Sequence, residues 1–145
     1  MKHLLYLKDE QIKDFIQLIS YAYRETFSDP KEILAKKFFG PAHLRVLNLI
    51  ERNPGISLGE LIFKLKVTKQ SLNRVLKDLI SLNAIQFKKD EKDTRLKHVF
   101  LTNKGNQIFN EIFFSQKKRI YKALINSSSV EIKNFNNVLK KIINE

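Results

Sequence analysis

Two side chains near residue 70 could form paired hydrogen bonds with the edges of nucleobases. If residues 68–82 form a helix, Gln70 and Arg74 lie one turn apart and point away from its apolar stripe. Arginine can bond guanine O6 and N7 together, and glutamine can do the same for adenine N6 and N7. The same face carries other polar residues: Thr68, Lys69, Ser71, Asn73 and Lys77. It is a candidate for reading DNA in the major groove, and an ordinary solvated surface is the alternative.

A charged run, KKDEKDTRLK at residues 88–97, follows this helix closely. Asp93 lies two residues before Arg95, so its carboxylate can hold the guanidinium extended from the end of a strand. An arginine on a narrow finger suits the DNA minor groove, where negative potential is focused. Flanking phosphates could be neutralised by the lysines at the two ends of the run, which are Lys88, Lys89 and Lys97. A polar hairpin tip also needs solvated residues, which is sufficient to explain Asp90, Glu91 and Lys92.

A helix-turn-helix followed by a β-hairpin would position both groups of residues. Ser57 and Glu60 form a capping box before a short helix, and Thr68 is the predicted cap of the next. That second helix carries one apolar stripe of Leu72, Val75, Leu76, Leu79 and Ile80. Two helices joined by a tight turn, the second with a free polar face, are typical of a helix-turn-helix. From residue 85 the apolar residues alternate, which predicts strands on both sides of the charged run.

Helical patterns flank this lobe on both sides, at about residues 9–28, 30–39, 41–52, 102–125 and 129–143. Asp9, Asp29 and Ser128 are the predicted N-caps of three of them. The terminal helices hold apolar surface that is unfavourable in water, at about 25 cal/mol per Å². They pack either within one chain or against a second copy, and a thin layer of long helices favours a homodimer. The residues predicted at that interface are Ile12, Phe15, Ile19, Phe113, Ile132, Phe135, Leu139 and Ile142.

The net charge of +12 is concentrated in the second half of the chain. Residues 64–97 hold 10 basic and 4 acidic side chains, whereas residues 1–63 hold 9 and 8. A bias of the whole genome toward lysine would not leave the first 63 residues nearly neutral. The distribution favours a polyanionic partner or an anionic membrane surface.

Several classes of function have no support in the sequence. The absence of cysteine excludes disulfides, thiolate metal sites and cysteine-based redox sensing. No motif for catalysis or for a cofactor is present, and His3, His43 and His98 do not have metal-ligand spacing. No apolar run is long enough to span a membrane and the N-terminus does not resemble a signal peptide, so we expect a cytoplasmic protein.

Three stretches resemble the winged helix-turn-helix of the MarR family of bacterial regulators. They are HLRVLNLIERNPGISLGELIFKL, KVTKQSLNRVLKDLISLNAI and DEKDTRLKHVFLTNKG. The third is the most specific, because it has the family's wing pattern Asp-x-Arg, then a strand ending in Leu-Thr, then a glycine. The stretch SDPKEILAKKFFGPAHLRVL is similar to the PetP-like branch of the family.

The resemblance implies a mainly α fold with a small β-hairpin wing and terminal dimerisation helices. Residues 1–145 then form a single MarR-like domain, with the DNA-binding lobe at 41–101 and the dimerisation layer at 1–40 and 102–145. It implies a sequence-specific repressor on a pseudo-palindromic operator in double-stranded DNA. The family's recognition-helix roles fall on residues 68–77, and its wing roles on Asp93 and Arg95. Thr94 stands where many members have a second arginine, which weakens the expected grip on the minor groove.

Many family members release DNA when a small phenolic or lipophilic effector enters a crevice between the two layers. The candidate liners are aromatic or polar residues near that junction, namely Tyr6, Tyr21, Tyr23, Phe39 and His43. A structural role in the core is the simpler alternative for them. Two other functions remain open at this point. One is a winged-helix adaptor that binds an acidic protein, and the other is an architectural DNA binder without sequence preference.

Overall fold

The structure, a computed structural model, describes residues 7–144 and is mainly helical with one small antiparallel sheet. Its helices are α1 (Asp9–Ser28), α2 (Lys31–Lys36), α3 (Pro41–Arg52), α4 (Leu58–Leu65), α5 (Lys69–Ser81), α6 (Asn103–Ile125) and α7 (Ser129–Ile142). Its strands are β1 (Ile56–Ser57), β2 (Ile85–Lys89) and β3 (Lys97–Leu101), in the order β1-β3-β2. The predicted fold class is confirmed. Within the described residues, no helix is long and apolar enough to cross a membrane.

The chain divides into two compact units, and the second, residues 30–114, contains the helix-turn-helix and the hairpin. Its core is formed by side chains that are almost fully buried, which include Leu44, Leu47, Ile50, Leu61, Leu72, Leu79, Val99 and Ile112. Most of the predicted stripe of α5 is therefore confirmed, and it packs in the same core as Leu44, Leu47 and Ile50 of α3. Ile80 is the exception, since it is 49% exposed. At 100° per residue it lies at the edge of the stripe, where the core no longer covers the helix.

Three of the predicted helix caps are present. The hydroxyls of Ser57, Thr68 and Ser128 accept hydrogen bonds from the third amide of their helices, at 3.1 to 3.2 Å. The capping box of Ser128 is complete, because Glu131 Oε2 accepts from its amide at 2.7 Å. The short turn between α4 and α5 is closed by Lys66, which has the left-handed conformation with φ of 52°.

The two predicted acidic caps are wrong. Asp9 is the first residue inside α1, and the amide of Lys8 before it donates to Gln11 Oε1 at 2.9 Å. Asp29 follows the end of α1 instead of opening α2, whose N-cap is Pro30. The carboxylate of Asp29 binds Arg119, at 2.7 Å to Nε and 2.9 Å to Nη2, and this partner lowers the pKa of Asp29. Asp29 thus forms an ion pair with a residue 90 positions away in place of the predicted local cap.

Strand β1 was not predicted. Ile56 pairs with Val99 and Ser57 with His98, so that a third strand lies along the hairpin. Two residues are too few to show alternation in the sequence.

The start of α6 lies against the short segment between α5 and β2, with backbone contacts at Ala84. Thr102 N donates to Ala84 O at 3.0 Å, and the Thr102 hydroxyl accepts from Gly105 N at 2.9 Å. A Cβ atom at Gly105 would overlap the carbonyl of Ala84. This close approach is the physical reason for a glycine at position 105.

The first unit consists of residues 1–29 and 115–145, of which 7–29 and 115–144 are described. The end of α1 is tied to α6 by the pair of Arg119 with Asp29 and by Gln116 Nε2, which donates to Thr26 O at 3.0 Å. Among the described residues of this unit, no apolar side chain is buried. Residues 7–29 and 115–144 therefore form no hydrophobic core within a single chain.

Candidate nucleic-acid interface

The outer face of α5 carries all seven residues that were predicted for DNA reading, and each of them is exposed. The Thr68 hydroxyl caps the helix and donates to Ser71 Oγ at 3.0 Å. Within the described part of the chain, the side chains of Gln70 and Arg74 make no hydrogen bond or ion pair. Their bonding groups are therefore free for a ligand.

The inner side of α5 is fixed to α3 by a histidine. His43 Nδ1 accepts from Gly40 N at 3.0 Å, so the ring proton lies on Nε2, which donates to Asp78 Oδ2 at 2.8 Å. The ring also stacks on Phe39, with 4.6 Å between centroids. The polar contact of His43 with Asp78 joins α3 and α5 in addition to the buried apolar stripe of α5.

The candidate effector liners differ in their surroundings. Phe39 is buried, which agrees with a core role, and His43 is held by the contacts just described. Tyr21 and Tyr23 are exposed on α1, where Tyr23 stacks on Phe27. Tyr6 lies outside the described residues.

The hairpin presents Arg95 at its tip with the side chain 89% exposed. Asp93 Oδ1 accepts from Arg95 N and Nε, both at 3.1 Å, and Oδ2 accepts from Nη2 at 3.2 Å. The predicted hold of the carboxylate on the guanidinium is therefore confirmed. These bonds lower the pKa of Asp93, with the Arg95 side chain as the main cause.

Three exposed lysines line the stems of the hairpin. Lys89 and Lys97 are directly opposite each other across β2 and β3, where like charges repel. The Nζ atom of Lys88 lies 4.9 Å from the centroid of the Phe100 ring, and that of Lys97 lies 6.0 Å from the centroid of the Phe87 ring. The stems thus hold positive charge that a bound polyanion would neutralise.

A histidine in β3, which the sequence did not mark as functional, connects the hairpin tip to the turn before β1. His98 Nδ1 lies 2.8 Å from Gly55 O, and Nε2 lies 2.9 Å from Asp90 Oδ1. Asp90 Oδ2 in turn accepts from the amides of Lys92 and Asp93 at 2.9 Å each. An aspartate that bonds amides two and three residues later is a common turn signal, and only that part was visible in the sequence.

No metal site is apparent in the described residues, where His, Asp and Glu do not form a group of three that could hold an ion.

Comparisons with known proteins agree with this geometry. A model of the MarR family matches residues 39–96. The HTH-type transcriptional regulator PetP of Rhodobacter capsulatus is 36% identical over 140 residues, which are 97% of this chain and 84% of PetP. The chain belongs to the MarR family. This MarR-family protein is a helix-turn-helix transcriptional regulator and not an enzyme.

Solved structures show the same fold at lower identity. A mutant of MepR from S. aureus is 17% identical, with a TM-score of 0.78 over 90% of this chain and 95% of that one. A mutant MarR from E. coli complexed with operator DNA is 24% identical, with a TM-score of 0.65 over 91% and 95%. The family resemblance drawn from the three sequence stretches is confirmed, and the similarity to PetP extends over nearly the whole chain.

Proposed function

We propose that this MarR-family protein is a repressor that binds a pseudo-palindromic operator in double-stranded DNA. Helix α5 enters the major groove with Gln70 and Arg74 at base edges, and the hairpin acts as a wing with Arg95 at the minor groove. The observation that carries the proposal is the exposed polar face of α5, on which Gln70 and Arg74 have no partner among the described residues, followed in the chain by a basic hairpin. The MarR mutant complexed with operator DNA, which has the same fold, supports it.

Phosphate contacts come from the residues around these two readers. Thr68, Lys69 and the first amides of α5 hold one strand, and the lysines of the wing stems hold the flanking backbone. Ser71, Asn73 and Lys77 border the base-reading pair on the exposed face. Positive charge in the second unit supports this assignment, since residues 30–114 hold 16 basic and 8 acidic side chains.

The protein acts as a homodimer in this proposal, and its half-sites lie about 10 bp apart, one helical turn of DNA. The lack of a buried apolar side chain in the described part of the first unit supports a second copy. The DNA-binding lobe is residues 41–101, and residues 1–40 and 102–145 form the dimerisation layer. The residues that form the dimer contacts in this proposal are those predicted from the sequence. Of these, Phe113, Phe135 and Ile142 are among the side chains exposed in the single chain.

We also propose that a small phenolic or lipophilic effector releases the protein from DNA. Membership of the MarR family supports this part of the proposal. Tyr21 and Tyr23 are the candidate liners that remain exposed, because Phe39 and His43 are engaged in packing. Access to genomic DNA places the protein in the cytoplasm.

Fluorescence anisotropy on labelled DNA from upstream of the protein's own gene tests DNA binding. We expect saturable binding that survives an excess of unrelated competitor. The logarithm of the affinity should fall linearly with that of the salt concentration, with a slope of about −0.9 for each phosphate contacted. Binding that competitor abolishes would support an architectural binder or an adaptor instead. A flat response to salt would contradict the phosphate contacts.

Phe135→Glu tests the dimer. Phe135 is 53% exposed on α7, and a charge there would be buried at the proposed interface. We expect the dimer dissociation constant to rise by about tenfold or more, measured by sedimentation velocity, with a wild type at twice 17.1 kDa. Asn136→Glu is the matched control, because Asn136 is the next residue along α7 and is polar and exposed. A wild-type monomer at micromolar concentration, or equal effects of both variants, would contradict the proposed interface.

A further inference from the structure

Both ring nitrogens of His98 face groups that accept hydrogen bonds. A backbone carbonyl only accepts, so Nδ1 must donate to Gly55 O. An ionised carboxylate also only accepts, so Nε2 must donate to Asp90 Oδ1. A neutral imidazole carries a single N–H and satisfies one of these partners. Only the imidazolium ion satisfies both.

His43 shows the opposite arrangement in the same unit. Its Nδ1 faces the Gly40 amide, which donates, and only its Nε2 faces a carboxylate. One N–H is therefore sufficient to satisfy both partners of the His43 ring. The difference lies in the partners of each ring and provides an internal comparison.

The bonds of His98 connect the proposed wing to the turn before β1. Gly55 belongs to the turn before β1 and has φ of 84°, a conformation that favours glycine. Asp90 begins the wing loop and accepts from the amide of Asp93, whose own carboxylate holds Arg95. The orientation of Arg95 is therefore linked through two carboxylates to the protonation of His98.

We propose that His98 is a positioning residue for DNA binding, whose imidazolium form holds the wing in the conformation that presents Arg95. DNA affinity then rises as the pH falls. This inference rests on the proposed DNA binding and goes beyond it by naming a proton as a regulator of the wing.

Charged groups around His98 determine the pH range. The hydrogen bond to Asp90 raises its pKa above the ordinary 6.5, the carbonyl of Gly55 adds to this, and the charges of Asp90 and Glu60 contribute. Lys88 is opposite His98 across the sheet, with its ammonium over the Phe100 ring. The pKa of Asp90 is lowered, mainly by its bond to His98, so Asp90 stays ionised at neutral pH.

The raised pKa of His98 determines how the stability of the ordered wing changes with pH. Because the pKa of His98 is raised in the ordered wing, the stabilisation is fully present below pH 6.5. It is lost as the pH rises through the raised pKa, where the ring must give up one of its two bonds.

Two measurements on the full chain test the inference. The first is an NMR titration of the His98 ring protons in the free protein, with His98→Gln used to assign them. We expect a midpoint above 6.5, and a lower midpoint in Asp90→Asn. The asparagine keeps an oxygen that accepts from the loop amides and removes the charge.

The second measurement is operator affinity from about pH 5.5 to about pH 8.5 at constant ionic strength. We expect the dissociation constant of the wild type to rise by about threefold to tenfold more than that of His98→Gln, the effect of one lost hydrogen bond. Asp90→Asn should move the midpoint of the affinity profile down together with the His98 titration. His43 is present in all three proteins, so its contribution cancels.

Parallel affinity profiles of the wild type and His98→Gln would overturn the inference, as would a His98 midpoint below 6.5. Specific binding in either case leaves the proposed function intact. Absence of specific DNA binding at every pH would overturn the proposed function and the inference together.

Discussion

Gly105→Ala is expected to destabilise the protein by about 3 kcal/mol or more, an extreme case of overpacking. The added Cβ points into the backbone carbonyl of Ala84, and not into a side chain that could rotate away. That carbonyl also accepts from Thr102 N at 3.0 Å, so the segment that follows α5 and the start of α6 cannot separate without losing this bond. Urea denaturation followed by circular dichroism measures the loss.

Gly59→Ala is the matched control for this substitution. Gly59 lies in α4 and is exposed, and no atom lies within 4 Å of an added Cβ. Alanine at such a helical position is expected to stabilise by about 0.5–1 kcal/mol. Both variants need the same protein concentration, because a dimer gains stability by association. A neutral Gly105→Ala would contradict the close approach of α6 to Ala84.

Arg74→Ala is expected to lower affinity for the operator by about tenfold to a hundredfold and to relax the preference at one base pair. The guanidinium has no partner among the described residues, so its removal leaves no buried group unpaired within the chain. The whole effect should therefore appear in DNA binding and none in stability. Anisotropy on the operator and on variants with one base pair changed measures both quantities.

A lysine of the wing stem is the control for Arg74→Ala. Lys88 and Lys97 are less suitable, because each ammonium lies over an aromatic ring and truncation would also remove packing within the wing. Lys89 is exposed and has no such ring contact, which makes Lys89→Ala the cleaner choice. We expect it to weaken binding to all sequences alike and to reduce the salt slope by about one contact. Loss of preference at a single base pair in Lys89→Ala would contradict this division of roles.

The sequence by itself determined the elements that present the interface. The stripe of α5, the caps at Ser57 and Thr68 and the alternation in the hairpin all depend on residues within a few positions of one another. The bond of Asp93 to Arg95 was predictable for the same reason, since the two residues are two positions apart in the sequence. Resemblance to the MarR family was visible in these same stretches.

Contacts between distant residues were decided only by the tertiary structure. The local pattern predicts Asp29 as a helix cap, because the sequence gives no sign of its partner Arg119, which is 90 residues away. His98 lies 43 residues from Gly55, and β1 exists only because β3 provides its hydrogen bonds. Spacing along a chain determines which side chains share a helix face or a strand face. Which acceptor a histidine meets, and which carbonyl a glycine must approach, depends on how those faces pack in three dimensions.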